Sequence, residues 1–349
     1  MKTSTKVRIG LQILKSRATG VPRPFFVQYS LLNGCNMRCS YCNSPNRDDG
    51  QVDTATHKSL LKQFAELGTA RIKFLGGEPL LRDDIGELVD ETKRLGMRAA
   101  MVTNALLIPQ KFETIRQLDE LIISIDGREE AHDRQRGKGT WKRVMTSIEL
   151  CAANKVDFFL SAVVTKDSTG EIDWLIEFAQ RLGVMVNFQL PQFNVEMYGL
   201  GAKQAVPQSD LARQVLRKII AAKRAGAPVL FTEKSYSKTL DWQDYGVERR
   251  DQQGCDSPCT AGKYFLQMEP NGDIYPCVLH VGTFQPKNAV RDGVRAAWEH
   301  CHSHGCGSCY NTWLNENRAV FDLSPHVLRN FWSNYLNPAR PAAATPQSV

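Results

Sequence analysis

The sequence predicts an α/β fold, a partial barrel of six β-α units followed by a small cysteine-rich α+β domain. Between Phe25 and Leu190, short apolar runs alternate with amphipathic stretches. The near-continuous apolar character of these runs suits strands buried on both faces of a sheet. From Cys255 onward, the alternation gives way to short strands and cysteines. Successive β-α units form a parallel sheet with right-handed crossovers, so six of them can close partway into a barrel.

The elements of the barrel follow from composition and from their stop signals. Three predicted helices end at Gly68, Gly96 and Gly183, which is a usual helix stop. The strands are predicted at Phe25–Leu32, Arg71–Leu75, Arg98–Val102, Glu120–Ile125, Asp157–Val164 and Val184–Leu190. The helices between them are predicted at Thr54–Leu67, Asp84–Leu95, Pro109–Gln117, Trp141–Asn154 and Glu171–Leu182.

The remainder of the chain has a different organisation. A basic amphipathic helix is predicted from Pro207 to about Ala225. Phe265–Pro270 and Asp273–Cys277 flank Asn-Gly, which predicts a β-hairpin with a type I′ turn. A helix at Val290–His300 and a last one at about Ser324–Tyr335 follow. The predicted division is a basic helical segment at 1–24, the barrel at 25–190, a helical connector at 191–250, the cysteine-rich domain at 251–315, a C-terminal helix at 316–337 and a disordered tail at 338–349.

Charge and hydropathy limit the classes of partner. The formal net charge of +7 over 349 residues is modest and scattered, so the chain is not expected to bind nucleic acid. The N-terminus lacks the pattern of a secretory signal, and no stretch approaches the roughly 18 apolar residues of a membrane span. We therefore expect a cytoplasmic protein with reduced thiols. In such a protein, clustered cysteines predict metal or cluster ligands rather than disulfides.

Cys35, Cys39 and Cys42 follow the first predicted strand with the spacing Cys-x3-Cys-x2-Cys. Three thiolates on one loop can ligate three irons of a [4Fe–4S] cubane and leave the fourth iron free to bind a ligand, whereas pure electron carriers usually supply four. The alternative is a structural zinc site, but the nearest histidine, His57, lies beyond the loop.

With Tyr41 at the aromatic position, this motif resembles that of the radical S-adenosylmethionine (radical SAM) superfamily. The segment Gly76-Gly77-Glu78-Pro79 after the second strand resembles the family's glycine-rich segment. The resemblance implies that the aromatic residue packs near the adenine and that the glycine-rich segment binds the methionine ammonium, with the glutamate as an acceptor. It also implies a TIM-like partial barrel.

Two further segments extend the resemblance. Thr103-Asn104 resembles the family's Thr-Asn-Gly after strand three, although Ala105 replaces the glycine. The stretch from Ser124 to Arg136 is similar to one found in the branch with additional C-terminal clusters. The resemblance implies that Asn104 contributes to cofactor binding, and that the serine and the arginine contact the cofactor's carboxylate.

A second group of cysteines lies near the C-terminus: Cys259, Cys277, Cys306 and Cys309. Their spacing resembles the shortened SPASM domain, called Twitch, which carries one auxiliary [4Fe–4S] cluster. The branch with a full SPASM domain also has a cysteine upstream, so Cys255 is an alternative ligand. Four thiolates suit zinc equally well, and four histidines nearby add to that alternative, namely His280, His300, His302 and His304.

Two cysteines of this region are surplus to four ligands. Cys255 and Cys301 are candidate hydrogen-atom donors, as in radical epimerases, but a reduced thiol near a cluster is the favoured interpretation. Cys151, at the end of a predicted helix, is expected to be a buried thiol.

The resemblance implies an enzyme that cleaves S-adenosylmethionine reductively, with an electron from flavodoxin or ferredoxin, and abstracts hydrogen from an unactivated C–H bond. An auxiliary cluster favours net oxidation, while epimerisation and C–C coupling stay open. Because 34 residues precede Cys35, too few for a leader-binding domain, a small biosynthetic metabolite is the expected substrate. A peptide-modifying maturase is the alternative.

Two other hypotheses compete at the level of protein class. A non-catalytic iron–sulfur electron carrier or sensor explains both cysteine groups but leaves the glycine-rich segment unexplained. A zinc-stabilised binding module predicts a colourless protein. The basic segment at Val7–Arg17 and the apolar residues of the last helix could also lie on a membrane surface, although helices packed on a barrel are the favoured interpretation.

Overall fold

The structure is a computed structural model, and it describes residues 3–48, 50–192, 194, 201, 203–251 and 259–325. Helices of more than one turn are α1 (Thr3–Thr19), α2 (Thr54–Glu66), α3 (Ile85–Arg94), α4 (Phe112–Gln117), α5 (Glu129–Arg136), α6 (Thr140–Ala153), α7 (Ile172–Leu182), α8 (Ser209–Arg224), α9 (Glu233–Leu240), α10 (Ala289–Asp292), α11 (Val294–His300) and α12 (Thr312–Phe321). The strands are β1 (Phe26–Ser30), β2 (Arg71–Leu75), β3 (Arg98–Thr103), β4 (Glu120–Ser124), β5 (Phe158–Val163), β6 (Met185–Gln189), β7 (Arg249–Asp251), β8 (Phe265–Met268), β9 (Asp273–Tyr275), β10 (Lys287–Asn288) and β11 (Cys306–Cys309).

The predicted α/β partial barrel is confirmed. Strands β1 to β6 are parallel and adjacent in chain order. Alternate residues face opposite sides of the sheet. Tyr29 and Phe74 belong to the apolar core shared with the helices, whereas Gln28 and Lys73 line a cavity on the concave side. The carboxyl ends of the strands meet at one rim, where the predicted site residues lie.

The sheet does not stop at the barrel. Strand β8 pairs in parallel with β1, from Phe26 opposite Phe265 to Tyr29 opposite Met268, and β9 and β10 continue the sheet to nine strands. The cysteine-rich region therefore shares a sheet with the barrel, a connection that local sequence patterns do not reveal. A second sheet pairs β7 with β11.

The hairpin of β8 and β9 forms as predicted, but its turn differs from the expectation. Gly272 has φ of 91°, while Asn271 is not among the described residues with positive φ, so the turn is not type I′. The Gly272 amide donates to the Glu269 carbonyl, and the Glu269 amide to the Asp273 carbonyl. This is a three-residue loop in which Pro270 leads a type I turn and glycine closes it.

The last described helix, α12, is not among the helices predicted from the sequence. Asn311 caps α12 by accepting a hydrogen bond from the Leu314 amide at 2.9 Å. Phe321 at its end stacks on Tyr264 and Phe25, with ring centroids 4.9 and 5.9 Å apart. Helix α12 therefore packs against the start of β1. Most of the helix predicted at Ser324–Tyr335, and the whole tail at 338–349, lie outside the described residues.

The N-terminal helical segment is present as α1. No helix among the described residues is long and apolar enough to cross a membrane.

Candidate functional site

The three cysteines of the first motif lie on the loop that follows β1. Cys35, Cys39 and Cys42 are each partly buried and unpaired by disulfides. The Cys35 sulfur receives a hydrogen bond from the Met37 amide at 3.4 Å and faces the Asn104 side-chain amide at 3.7 Å. Burial raises the pKa of all three thiols, each thiol raises that of a neighbour, and the Arg136 guanidinium opposes this at Cys39. A three-thiol donor set with N–H groups aimed at sulfur fits an iron–sulfur cluster.

The glycine-rich segment holds the start of this loop. The amides of Gly77 and Glu78 donate to the carbonyls of Leu32 and Gly34 at 2.7 and 3.0 Å. A Cβ on Gly76 would lie 2.3 Å from the Leu32 carbonyl oxygen, and one on Gly77 would lie 2.0 Å from that of Gly34. The glycines therefore permit close approach to the backbone that leads into Cys35, in addition to any approach to a ligand.

Glu78 links this segment to the loop after β3. Its carboxylate is fully buried and accepts hydrogen bonds from the Thr103 hydroxyl and the Asn104 amide, both at 2.8 Å, and from the Leu80 amide at 3.1 Å. Burial raises the pKa of Glu78 to about 7. The expected acceptor for a cofactor ammonium thus already has three internal donors, and Pro79 begins the short turn behind it. Its visible contribution is to join two site loops.

Asn104 completes that connection. Its side-chain amide donates to Asn36 at 2.7 Å, next to Cys35, and its side-chain oxygen accepts from the Leu106 amide at 3.1 Å. Ala105 follows in the left-handed region, with φ of 67°, and is fully buried. The loop thus keeps the conformation that glycine favours even though alanine occupies it.

This strained, buried position leads to a stability prediction. Ala105→Val should lower the free energy of unfolding by at least about 2 kcal/mol, because a β-branched residue is disfavoured at positive φ and overpacks the core. Ala105→Gly should change it by less than about 1 kcal/mol, because relief of strain is offset by loss of a buried methyl. Urea denaturation measures both. Ala153→Val, exposed at the end of α6, is the control, and an equal loss there would contradict the prediction.

Arg136 has a carboxylate partner within the protein. Its guanidinium forms a bidentate ion pair with Asp126, with Nε 2.7 Å from Oδ2 and Nη2 3.0 Å from Oδ1. The side chains of Arg136 and Asp126 are 7% and 0% exposed. The Tyr41 hydroxyl also donates to Asp126 at 2.9 Å, and so does the Val163 amide at 3.0 Å. The arginine fork therefore faces an internal carboxylate. Asp126, which sequence reasoning did not single out as a site residue, organises the aromatic residue of the cysteine motif.

Ser124 lies half-buried at the carboxyl end of β4, opposite Ser161 on β5. Ser124 therefore lies on the same rim as the cysteine loop, two residues before Asp126 in the sequence. Its predicted contact with the cofactor's carboxylate stays a prediction.

The second cysteine group also comes together. Cys277, Cys306 and Cys309 are buried and Cys259 is partly buried. The Cys259 amide donates to the Cys306 carbonyl at 3.2 Å. Burial raises the pKa of the Cys277 thiol well above its ordinary value, and the other three thiols raise it further. Four converging thiols are a donor set that suits a fully ligated cluster. No three His, Cys, Asp or Glu side chains of the described residues are arranged around a single-ion site.

The surplus cysteine and two histidines have other partners. Cys301 is fully buried, with its thiol 3.5 Å from the carbonyls of Ile274 and Ala297, and burial raises its pKa to about 12. It packs in the apolar core and is not among the residues that line the concave cavity. This placement agrees with a reduced, structural thiol. Cys255 lies outside the described residues. Both ring nitrogens of His304 bond backbone groups, and Arg249 contacts the ring of His280.

A cavity of about 290 Å³ runs through the concave side of the barrel. It begins at Cys42 and Gly76 on the rim and reaches Arg71 and Glu120 near the opposite end of the strands. Trp313 of α12 closes its side. The cysteine loop and the glycine-rich segment thus form a candidate site in which a three-thiol donor set lies at the rim of a cavity.

Comparison with known proteins identifies the class. Residues 29–179 match the family model described as the Radical SAM superfamily, a stretch that contains the cysteine triad, the glycine-rich segment and Arg136. Residues 29–179 therefore form a radical SAM domain, the catalytic domain of enzymes that use S-adenosylmethionine and a [4Fe–4S] cluster.

Curated proteins that are similar to this chain over most of its length indicate a particular branch of this superfamily. The PqqA peptide cyclase of Gluconobacter oxydans is 27% identical over 73% of this chain and 70% of its own. The AdoMet-dependent heme synthase of Methanosarcina barkeri is 27% identical over 74% and 77%. The mycofactocin maturase MftC of Mycolicibacterium smegmatis is 25% identical over 85% and 75%. These similarities support a place for the chain in the SPASM/Twitch branch of the radical SAM superfamily.

The fold agrees with a solved structure of this kind. Streptococcus suis SuiB bound to its precursor peptide SuiA superposes with a TM-score of 0.65 at 19% identity, over 82% of this chain and 67% of that one. At this identity the likeness concerns the fold alone.

Proposed function

We propose that this protein is a radical SAM maturase that modifies a peptide substrate, with Cys35, Cys39 and Cys42 as ligands of the [4Fe–4S] cluster that binds S-adenosylmethionine. The observation that carries the peptide assignment is the similarity to PqqA peptide cyclase over most of both chains. The similarity to MftC supports it. The peptide alternative is thus better supported than the small-metabolite expectation.

Cys35, Cys39 and Cys42 would hold the cluster, which would pass one electron from an external reductant to S-adenosylmethionine and so supply the radical chemistry of this class. The chain's own residues position and enclose this chemistry. Gly76-Gly77-Glu78 and Asn104 fix the backbone that carries Cys35. Asp126 and Arg136 hold Tyr41 at the other end of the motif. The cavity beneath the rim is the space that a substrate would enter.

We further propose that Cys259, Cys277, Cys306 and Cys309 hold an auxiliary [4Fe–4S] cluster, as the convergence of their four thiols supports. Iron analysis tests this with a matched pair. After anaerobic reconstitution we expect about eight irons per chain in the wild type. Cys277→Ser should lose about four of them, and Cys301→Ser should lose none because that thiol bonds backbone carbonyls. Equal iron contents in both variants would contradict the assignment.

The peptide assignment is tested with peptides encoded beside the gene. The reconstituted enzyme, dithionite or a flavodoxin reductant, and S-adenosylmethionine should give 5′-deoxyadenosine together with a peptide of altered mass. A peptide deuterated at the reacting residue should transfer deuterium to 5′-deoxyadenosine. Cleavage of S-adenosylmethionine without any peptide product, across all such peptides, counts against the proposal.

A small biosynthetic metabolite is the second candidate, and the similarity to AdoMet-dependent heme synthase favours it. The same assay separates the two candidate substrates when a heat-stable extract of cells grown in deuterated medium replaces the deuterated peptide. Deuterium incorporation from extract components but not from peptides would establish the metabolite alternative.

A further inference from the structure

Lys73 is a buried lysine in the middle of β2 that faces the barrel cavity. It is 5% exposed, and its ammonium lies 4.1 Å from the centroid of the Trp313 ring. In the part of the chain that the structure describes, no acceptor takes a hydrogen bond from this ammonium. A buried ammonium without an acceptor is costly, and an anion bound at this position would offset that cost. The proposed function does not yet account for it.

The cations around Lys73 outnumber the carboxylates. Arg71 and Arg98 are paired across β2 and β3 at the same end of the cavity. The Nε atoms of both arginines are buried without a hydrogen-bond partner among the described residues. Glu120 is the carboxylate at this level, and Arg71 already contacts it at 3.1 and 3.3 Å.

The other charged side chains that line the cavity are engaged. Arg47 pairs with Glu269 at 2.8 Å. Glu316 accepts hydrogen bonds from the Thr232 amide at 2.9 Å and from the hydroxyls of Thr232 and Ser235, both at 2.6 Å. The end of the cavity near Lys73 therefore keeps an excess of positive charge, and Gln28 beside Lys73 adds a neutral polar side chain.

Position along the strand relates this charge to the proposed cluster. Lys73 precedes Gly76 by three residues, so its Cα lies about 10 Å further from the rim along the strand. A group anchored at Lys73 would extend toward Gly76 and Cys42 through the same cavity. Such an anchor can fix which C–H bond of a substrate lies nearest the rim.

We propose that Lys73, with Arg71 and Arg98, forms a subsite for an oxyanion of the substrate, a carboxylate or a phosphate, at the end of the cavity away from the cysteine loop. The inference rests on the proposed function and specifies its substrate: a peptide that places an acidic side chain or a terminal carboxylate inside the barrel. Phosphate is the other source of the same chemistry. Burial lowers the pKa of Lys73 to about 7, so binding an anion near pH 8 should draw a proton onto the amine.

Isothermal titration calorimetry of the reconstituted protein at pH 8 tests the subsite. The probes are glutarate and inorganic phosphate at constant ionic strength, each in two buffers of different ionisation enthalpy. We expect saturable binding of at least one probe with net proton uptake. Lys73→Met should weaken the apparent affinity at least tenfold and abolish the proton uptake. Lys58→Met, which removes a surface lysine paired with Glu87, is the control and should match the wild type. Lys73→Gln is the second variant if the methionine variant does not fold.

The outcomes separate the two proposals. Glutarate binding without phosphate binding assigns the subsite to a carboxylate, and the reverse assigns it to a phosphate. Absence of binding in the wild type, or equal affinity and proton uptake in the Lys73 variants, overturns the subsite and leaves the peptide proposal standing. Intact anion binding together with failure of every peptide in the deuterium assay overturns the proposed function alone.

Discussion

Gly77→Ala is expected to prevent assembly of the cluster on Cys35, Cys39 and Cys42, with loss of about four irons per chain and of nearly all 5′-deoxyadenosine formation. The added methyl would lie 2.0 Å from the Gly34 carbonyl oxygen and 2.3 Å from that of Asn33. Both are backbone atoms, so no side-chain rotation can relieve the overlap. The segment before Cys35 must move away from β2, and hydrogen bonds at 2.7 and 3.0 Å must break.

Iron and sulfide analysis and anaerobic 5′-deoxyadenosine assays measure this effect. Gly170→Ala is the matched control, because a Cβ at Gly170 meets no atom within 4 Å. The Gly77 variant should keep the four irons of the proposed auxiliary cluster, which lies in another loop system, so global unfolding can be distinguished from local displacement. Full iron content and a normal rate in Gly77→Ala would show that the loop adapts and that our explanation of the glycine is incorrect.

Asp126→Asn is expected to lower the free energy of unfolding by about 3 kcal/mol or more, because removing one partner of a buried ion pair leaves an uncompensated charge. Arg136 is 7% exposed and has this carboxylate as its bidentate partner. The asparagine keeps one acceptor oxygen, so Tyr41 and the Val163 amide cannot both be satisfied as before. Displacement of Tyr41 should also reduce the affinity for S-adenosylmethionine.

Urea denaturation and equilibrium binding of S-adenosylmethionine measure the two effects. Glu87→Gln is the control, because it breaks an exposed ion pair with Lys58 and should cost less than about 1 kcal/mol. The double variant Asp126→Asn, Arg136→Met should recover part of the lost stability, since it removes the unpaired charge. A stability loss at Asp126 no larger than that at Glu87 would contradict the assigned role.

The barrel could be predicted from sequence because each strand carries its own local signal. Arg71–Leu75 is a segment of strand length that carries Ile72, Phe74 and Leu75 and is followed by two glycines, and the structure has β2 at those residues. The cysteine spacing is equally local. The pairing of β8 with β1 joins residues more than two hundred positions apart, and no periodicity encodes such a partner.

The contacts between side chains of the site are harder to predict from the sequence than its secondary structure. The resemblance predicts a cofactor carboxylate as a partner of Arg136, and the structure adds Asp126, ten residues earlier, across the turn from β4 to α5. The signal was present in Ile-Asp-Gly at the end of a strand, but a carboxylate there has many plausible partners. Lys73 gave no signal at all, because a lysine within Arg-Ile-Lys-Phe-Leu can face either solvent or the interior of a barrel until the closure of the sheet is known.

The pairing of β1 with β8 has a consequence for synthesis on the ribosome. Phe26–Tyr29 must wait for Phe265–Met268 to be translated, an interval of about 12 to 48 seconds at bacterial elongation rates of roughly 5 to 20 residues per second. During that interval one edge of the nascent sheet presents unpaired amides and carbonyls, a template for association with other chains. The edge of β1 is therefore a place where chaperones can protect the nascent chain until β8 has been made.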